Sequence, residues 1–331
     1  MSASRAMADI RIPRPLPEHR LPPLNGWEPT GPFAVAVSAG ADSTALLWAC
    51  ALRWPQWTRA IHVNHGLQQA ATDFEWHALH LCARLGIPCV VEHAQAHPAK
   101  GQSPEEAARI GRYQALAHAA KSQFDVPLKE VLLAQHADDQ AESVMLAWSR
   151  GTGLAGLAAM PQSIEREGIR FVRPWLDASG AALRVALRQA GVPWVEDPSN
   201  GSDAYTRNRI RHEVLPALEQ ALPGSKVTLV RTARHAAQSL RLLAELAEMD
   251  GLRAGVLPKI ADLRLLPAHR LSNLLRHWLA EQGTQAQTAQ LEELLRQVSA
   301  CKTRGHRIHL RVGAGHVIRQ GEVLAWLQSK V

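Results

Sequence analysis

The spacing of apolar and polar residues along this chain changes period repeatedly, and each change marks an element. FAVAV, starting at Phe33, is a short unbroken apolar run, as in a strand buried on both faces. It ends in the small-residue turn SAGADS, and TALLWACAL follows with helical spacing. RAIHVNHGL predicts a second strand, ATDFEWHALHLCARLG a helix stopped by Gly86, and IPCVVEH a third strand. SPEEAARIGRYQALAHAAKSQ predicts a long helix. Ser103 is its N-cap, Pro104 suits its first turn, and Glu105 and Glu106 suit the positive end of its dipole. EVLLAQH predicts a fourth strand and ADDQAESVMLAWSR the helix after it. GTGLAGLAAMP reads as a Gly-rich loop, and IRFVRPWLDASGAALRVALRQAG as a further strand-helix unit. After PWVEDPSNGSD comes a basic helix, YTRNRIRHEVLPALEQAL. The remainder reads as mainly helical to about Val298, then as a small hairpin or meander built from HRIHLRV, GHVIR and VLAWL.

Strands alternating with helices predict an α/β fold, an open parallel sheet with helices on both faces. A smaller, mainly helical C-terminal domain is expected after it. We draw the boundaries at 1–32, 33–222 and 223–331. The first segment is rich in Pro and Arg (RIPRPLPEHRLPPL) and reads as a disordered or draped leader, or as sequence ahead of a later start.

Composition narrows the function class. The 331 residues suit two domains, and 46% hydrophobic with 20% charged residues is ordinary for a chain that buries a real core. No apolar stretch approaches the roughly 20 residues of a membrane span, and the N-terminus lacks a secretory apolar core. Cys50, Cys82, Cys89 and Cys301 include no CxxC pair. Scattered thiols of this kind point to a reducing compartment, the cytoplasm. The net charge of +7 is uneven: from Tyr205 onward 19 Lys and Arg face 10 Asp and Glu, so the earlier part is slightly acidic. That asymmetry suggests a polyanionic partner for the second half, against the plainer reading of a solvated basic surface.

Five segments carry candidate chemistry. The Ser38–Ser43 turn places small residues and a helix N-terminus where phosphate can bind, but lacks the lysine of a Walker loop. Gln135–Glu142 sets His136, Asp138, Asp139 and Glu142 just past a strand, where ligands of open parallel sheets bind. Asp139 and Glu142 can share a helix face, and carboxylate oxygens suit Mg²⁺. In His62-Val63-Asn64-His65-Gly66 a zinc pair fits poorly, because strand positions three apart point to opposite faces. A polar strand end touching nucleotide and a structural histidine both remain open. Glu105–Tyr113 brings Arg109 and Arg112 within reach of phosphate, or of exposed ion pairs. Finally, Asp197-Pro198-Ser199-Asn200 precedes Arg207-Asn208-Arg209-Ile210-Arg211-His212. There Arg207 and Arg211 share a helix face and Arg209 turns away, suiting RNA or ATP phosphate.

In this order the five segments resemble the tRNA(Ile)-lysidine synthetases, N-type ATP pyrophosphatases of the PP-loop superfamily whose loop reads SGGxDS. HVNHGL, EEAAR with RY following, HADDQAE, GTGLAGLAAMP, DPSN and RNRIRHEVLP carry the likeness. It runs from about Phe33 through Ala217 and more loosely to the end. The resemblance implies an adenine nucleotide hydrolase-like fold and a two-step reaction. The O2 of the wobble cytidine in a tRNA(Ile) with a CAU anticodon attacks the α-phosphate of ATP, and the side-chain amine of L-lysine then displaces AMP at C2. Placed on this sequence, it implies ATP at Ser38, Ala39, Gly40, Ala41, Asp42, Ser43, His62 and Asn64, and Mg²⁺ at Asp42, Asp139 and Glu142. Chemistry falls to Asp42, Arg109, Arg112, His136, Asp138, Asp139 and Arg209, and tRNA contact to Arg207, Asn208 and Arg211. An acidic residue or His136 would remove the lysine proton, and the base is not assigned. The chain departs from the pattern at Ala39, which replaces a Gly, and it looks like a short form with one domain after the catalytic one. Oligomeric state is left open, a homodimer included. The rival readings are a related PP-loop tRNA thiolase, which would need reactive or cluster-binding cysteines, and a non-catalytic RNA-binding protein.

Overall fold

The computed structural model describes residues 21–64, 71–94, 104–196, 206–252, 256–257, 259–303, 305–313 and 315–328. The expectations for residues 1–20, for His65 and Gly66, for the Glu105 side chain and for Asp197–Asn200 lie outside the described residues. Two compact units divide at Arg234/His235, inside one long helix.

The first unit is built on β1 (Phe33–Ala36), α1 (Ala41–Arg53), β2 (Thr58–Asn64), α2 (Ala71–Leu85), β3 (Cys89–His93), α3 (Pro104–Ser122), β4 (Glu130–Leu132), α4 (Ala137–Ser149), α5 (Leu154–Leu157), β5 (Ser163–Arg166), β6 (Ile169–Val172) and α6 (Gly180–Ala190). α7 (Thr206–Arg209), a π-helical turn (Ile210–Val214) and α8 (Leu215–Ala221) follow, then α9 (Ser225–Met249), in which the division falls. The sheet order is β3-β2-β1-β4-β6-β5, with β3, β2, β1, β4 and β6 parallel and β5 antiparallel at the edge. β5 is not among the strands that the apolar spacing predicts. Its alternation SIER is half polar, and it is fixed by a tight hairpin whose two turn residues, Glu167 and Gly168, have φ of 50° and 67°.

The strand order reverses between the parallel neighbours β1 and β4, the switch point at which open α/β sheets bind ligands. β1 is apolar on both faces because both are covered. Phe33, Val35 and Val37 pack with α1, α2 and α6, whereas Ala34 packs with Tyr113, Leu116 and Ala117 of α3 on the other side. Part of the leader is draped on this core: Leu24 and Trp27 are buried, and Trp27 lies edge-on to Phe33 and Trp54.

The second unit contains α10 (Ile260–Leu263), α11 (Ala268–Glu281), α12 (Thr288–Ala300) and the antiparallel meander β7 (His309–Val312), β8 (Gly315–Gln320) and β9 (Val323–Gln328). Its separate core is formed by Leu271, Leu274, Leu275, Trp278, Leu291 and Leu294, joined by Val312 and Val317 from the strands.

Candidate active site

The two motifs that follow β1 and β4 meet at the switch point. After β1 the backbone turns through Ala39, whose φ of +64° is a left-handed value that favours glycine. This is the position where the family loop has Gly. The methyl of Ala39 is fully buried in the core on the α1 side, so it does not project toward solvent. The Ala39 carbonyl accepts the Val195 N–H at 3.0 Å. Ser43 Oγ lies 3.0 Å from Ser38 Oγ, accepts the Ser38 N–H at 3.1 Å and donates to the Gly40 carbonyl at 3.1 Å. The turn is thereby tied to α1 before any ligand arrives, and Asp42 is set in the first turn of α1.

After β4, His136 caps α4. Its Nδ1 accepts the Asp138 N–H at 3.2 Å, while Asp139 Oδ2 accepts the His136 N–H at 3.0 Å, a reciprocal capping box. Its Nε2 lies 3.4 Å from Asp42 Oδ2 and 3.7 Å from Asp139 Oδ2. Burial opposes a charge on His136, but the carboxylates of Asp42, Asp139 and Asp138 outweigh it and hold the pKa above the usual histidine value. Protonation would cost Nδ1 its acceptor role and turn it to Asp138 Oδ2, 3.5 Å away.

Each carboxylate has cations of this chain beside it. Asp42 meets Arg184 of α6 at 3.7 Å, and Asp138 meets Lys226 of α9 at 3.0 Å. Glu142, with a fully buried side chain, is gripped by Arg211 through Nε at 2.6 Å and Nη2 at 3.0 Å, and is approached by Arg207 at 3.4 Å. Arg211 also reaches Asp139 at 3.3 Å. It sits in the π-helical turn, where the Leu215 N–H returns to the Ile210 carbonyl five residues back, a local widening common at functional sites. Burial pushes the pKa of Asp42 and Asp138 up, yet the neighbouring cations and donors bring both below the ordinary value. For Glu142 burial wins over Arg211, and its pKa is raised.

The structure therefore gathers Asp42, His136, Asp138, Asp139, Glu142, Arg207 and Arg211. The other expected site residues have partners of their own. His62 is buried, and its Nδ1 bonds to the Val37 carbonyl at 2.8 Å, tying β2 to β1. Asn64 donates to Glu75 at 2.7 Å. Arg109 pairs with Glu106 at 3.7 Å, with Arg112 exposed on the same helix, α3. Arg209 is exposed and donates to Thr206 at 3.2 Å, and Asn208 is half-buried beside it. Three residues at the cluster escaped the sequence reading: Arg184, Lys226 and Gly180. The Gly180 N–H donates to Asp138 Oδ2 at 3.1 Å, and a Cβ there would lie 2.7 Å from His136 Cε1. Helix placement alone offered no signal for any of them, since each reaches the cluster only through tertiary packing.

Comparison with known proteins gives the family and agrees with the fold. Residues 18–218 match the PP-loop domain family and residues 259–324 the TilS substrate binding domain. The chain is 50% identical over 295 residues to the tRNA(Ile)-lysidine synthase of Polaromonas naphthalenivorans, covering 89% of each chain. It is 40% identical over 313 residues to that of Bordetella pertussis, covering 90% of this chain and 96% of the relative. The chain belongs to the tRNA(Ile)-lysidine synthase family. A solved U34-tRNA thiolase, NcsA from Methanococcus maripaludis, shares the fold, with a TM-score of 0.53 at 19% identity, covering 63% of this chain and 72% of the other. The PP-loop domain match implies use of ATP. Among the described residues no helix is long and apolar enough to cross a membrane.

Proposed function

We propose that this enzyme uses ATP to join L-lysine to C2 of the wobble cytidine in a tRNA(Ile) with a CAU anticodon, through an adenylated cytidine, and so makes lysidine in the cytoplasm. The observation that carries the reading is the convergence of Asp42, Asp138 and Asp139 on one buried histidine at the ends of adjacent parallel strands, with Glu142 linked to Asp139 through Arg211. In it the Ser38–Ser43 turn holds ATP phosphates against the start of α1. Asp42 Oδ1 is buried and has no hydrogen-bond partner, a vacancy suited to a cation, and Mg²⁺ needs only one or two carboxylates plus phosphate. Asp42, with Asp139 and Glu142, would hold that ion, which supplies charge neutralisation to the departing pyrophosphate. Arg109, Arg112 and Arg209 stabilise charge that develops on the α-phosphate. Asp138, which already holds the ammonium of Lys226, is suited to orient a lysine amine, and His136 is placed to exchange a proton beside it.

We assign residues 33–222 to catalysis and the basic remainder, together with Arg207, Asn208 and Arg211, to tRNA contact. The thiolase alternative is disfavoured by the thiols. Cys50, Cys82 and Cys301 are buried, and none of the four cysteines takes part in the carboxylate cluster. A non-catalytic reading leaves the retained carboxylates without a purpose. The test is pyrophosphate release with ATP, lysine and the tRNA. Asp42→Ala should abolish release with an unchanged circular dichroism spectrum, and normal turnover in that variant would overturn the reading.

A further inference from the structure

One buried charge has no part in the chemistry described above. Arg173 follows β6, is 4% exposed, and has no carboxylate partner among the described residues. Its three hydrogen bonds go to neutral acceptors: Gln135 Oε1 at 3.2 Å, the Pro161 carbonyl at 2.9 Å and the Tyr113 hydroxyl at 2.7 Å. Burial works against its charge and Tyr113 favours it, whereas Arg166 and Arg109, both positive, add to the burden of burial. A buried guanidinium left without a counter-ion is costly, and a carboxylate in place of Gln135 would relieve it.

The position has a geometric reason. Leu132 pairs with Val172, and further on His136 pairs with Trp175. Three residues on the β4 side thus face two on the β6 side, a bulge of the sort that re-aims a side chain beside a site. Pro174 has no N–H to offer, and the Arg173 N–H is taken by the Gln162 carbonyl. The Arg173 side chain fills the gap. It holds Gln135 on the α3 face while His136, the next residue, points into the carboxylate cluster on the other.

We propose that Arg173 is a positioning residue with two duties: its fork fixes the bulge that aims His136, and its unneutralised charge attracts phosphate oxyanions to the β4–β6 edge. This rests on the ATP- and tRNA-using function assigned above. Two variants separate the duties. Gln135→Glu keeps the shape and supplies a counter-ion. The melting temperature should rise and oxyanion affinity should fall, because the added carboxylate cancels the charge that attracts the oxyanion. ATP binding without tRNA and tRNA binding without ATP are measured separately, so whichever falls identifies the source of the phosphate. Unchanged affinity for both would overturn the electrostatic duty. Arg173→Lys keeps the charge and loses the fork. Turnover should drop at least tenfold with the Michaelis constant for ATP little changed, and wild-type turnover would overturn the positioning duty. Pyrophosphate release by Asp42→Ala is the separate check on the underlying function: if that variant is dead while both Arg173 tests fail, only the present inference falls.

Discussion

Gly180→Ala is the most discriminating single substitution this structure offers. The added methyl would stand 2.7 Å from His136 Cε1, 2.8 Å from Nε2 and 3.1 Å from Asp138 Oδ2. The ring has little room to retreat, because it is 5% exposed, caps α4 through Nδ1 and faces Asp42 through Nε2. Overpacking of this kind costs about 1–3 kcal/mol. Alanine in place of glycine in a helix returns up to about 1 kcal/mol, and less at a first-turn position such as this. The net loss is therefore on the order of 1–2 kcal/mol. In a unit of this size that lowers the melting temperature by about 2–8 °C. Activity should suffer more than stability. Turning the ring breaks its contact with Asp42 and the cap at Asp138 together, so single-turnover adenylation should fall well over tenfold while tRNA affinity holds. Gly111→Ala is the control. It lies inside α3 with nothing within 4 Å of the added Cβ, and should raise the melting temperature at full activity. If Gly180→Ala behaved like Gly111→Ala, the close packing of α6 on His136 would have no functional weight.

Three further outcomes are expected. Glu142→Gln should cost under about 1 kcal/mol in a urea titration, because burial already works against its charge, whereas Glu142→Ala should cost about 3 kcal/mol by leaving Arg207 and Arg211 without their partner; equal losses would contradict this. Burial holds the pKa of His62 below 6.5, so between the two values the unfolded chain takes the proton: stability contributed by neutral His62 is intact above 6.5 and is lost as pH falls toward the folded value. Melts from pH 7.5 to 5.5 should accordingly slope less in His62→Gln, and an unchanged slope would refute the assignment. Arg209→Ala should slow single-turnover adenylation with only modest change in tRNA affinity; loss of affinity alone would make Arg209 an RNA clamp.

What the sequence disclosed and what it concealed divide along a physical line. Asp42, His136, Asp138 and Asp139 were readable because each lies where an apolar run breaks into a helix start, a signal carried by neighbours in the chain. The shared face of Asp139 and Glu142, and that of Arg207 and Arg211, followed from helical spacing. Arg184 and Lys226 were not readable, since the first lies in an ordinary amphipathic helix and the second in a loop-to-helix start some ninety residues from its partner. The π-helical turn is likewise invisible to a 3.6-residue period. Ala39 shows the reverse case. The departure from the family loop was plain in the sequence, but only its φ of +64° explains why glycine suits that position and why alanine can still occupy it with its methyl in the core.

The carboxylates between β1 and β4 bring their own counter-ions, and this separates assembly from loading. Asp42, Asp138, Asp139 and Glu142 meet Arg184, Lys226, Arg211 and Arg207, charge against charge. In domains folded around zinc, chelation unfolds the chain. Here a chelator should stop pyrophosphate release and leave the melting curve where it was. On the proposed function, Asp42, Asp139 and Glu142 would exchange arginine partners for Mg²⁺, and those guanidinium groups would become available to phosphate. Such a swap conserves most of the local charge balance, so nucleotide affinity should depend on ionic strength far less than the number of charges in the cleft would suggest.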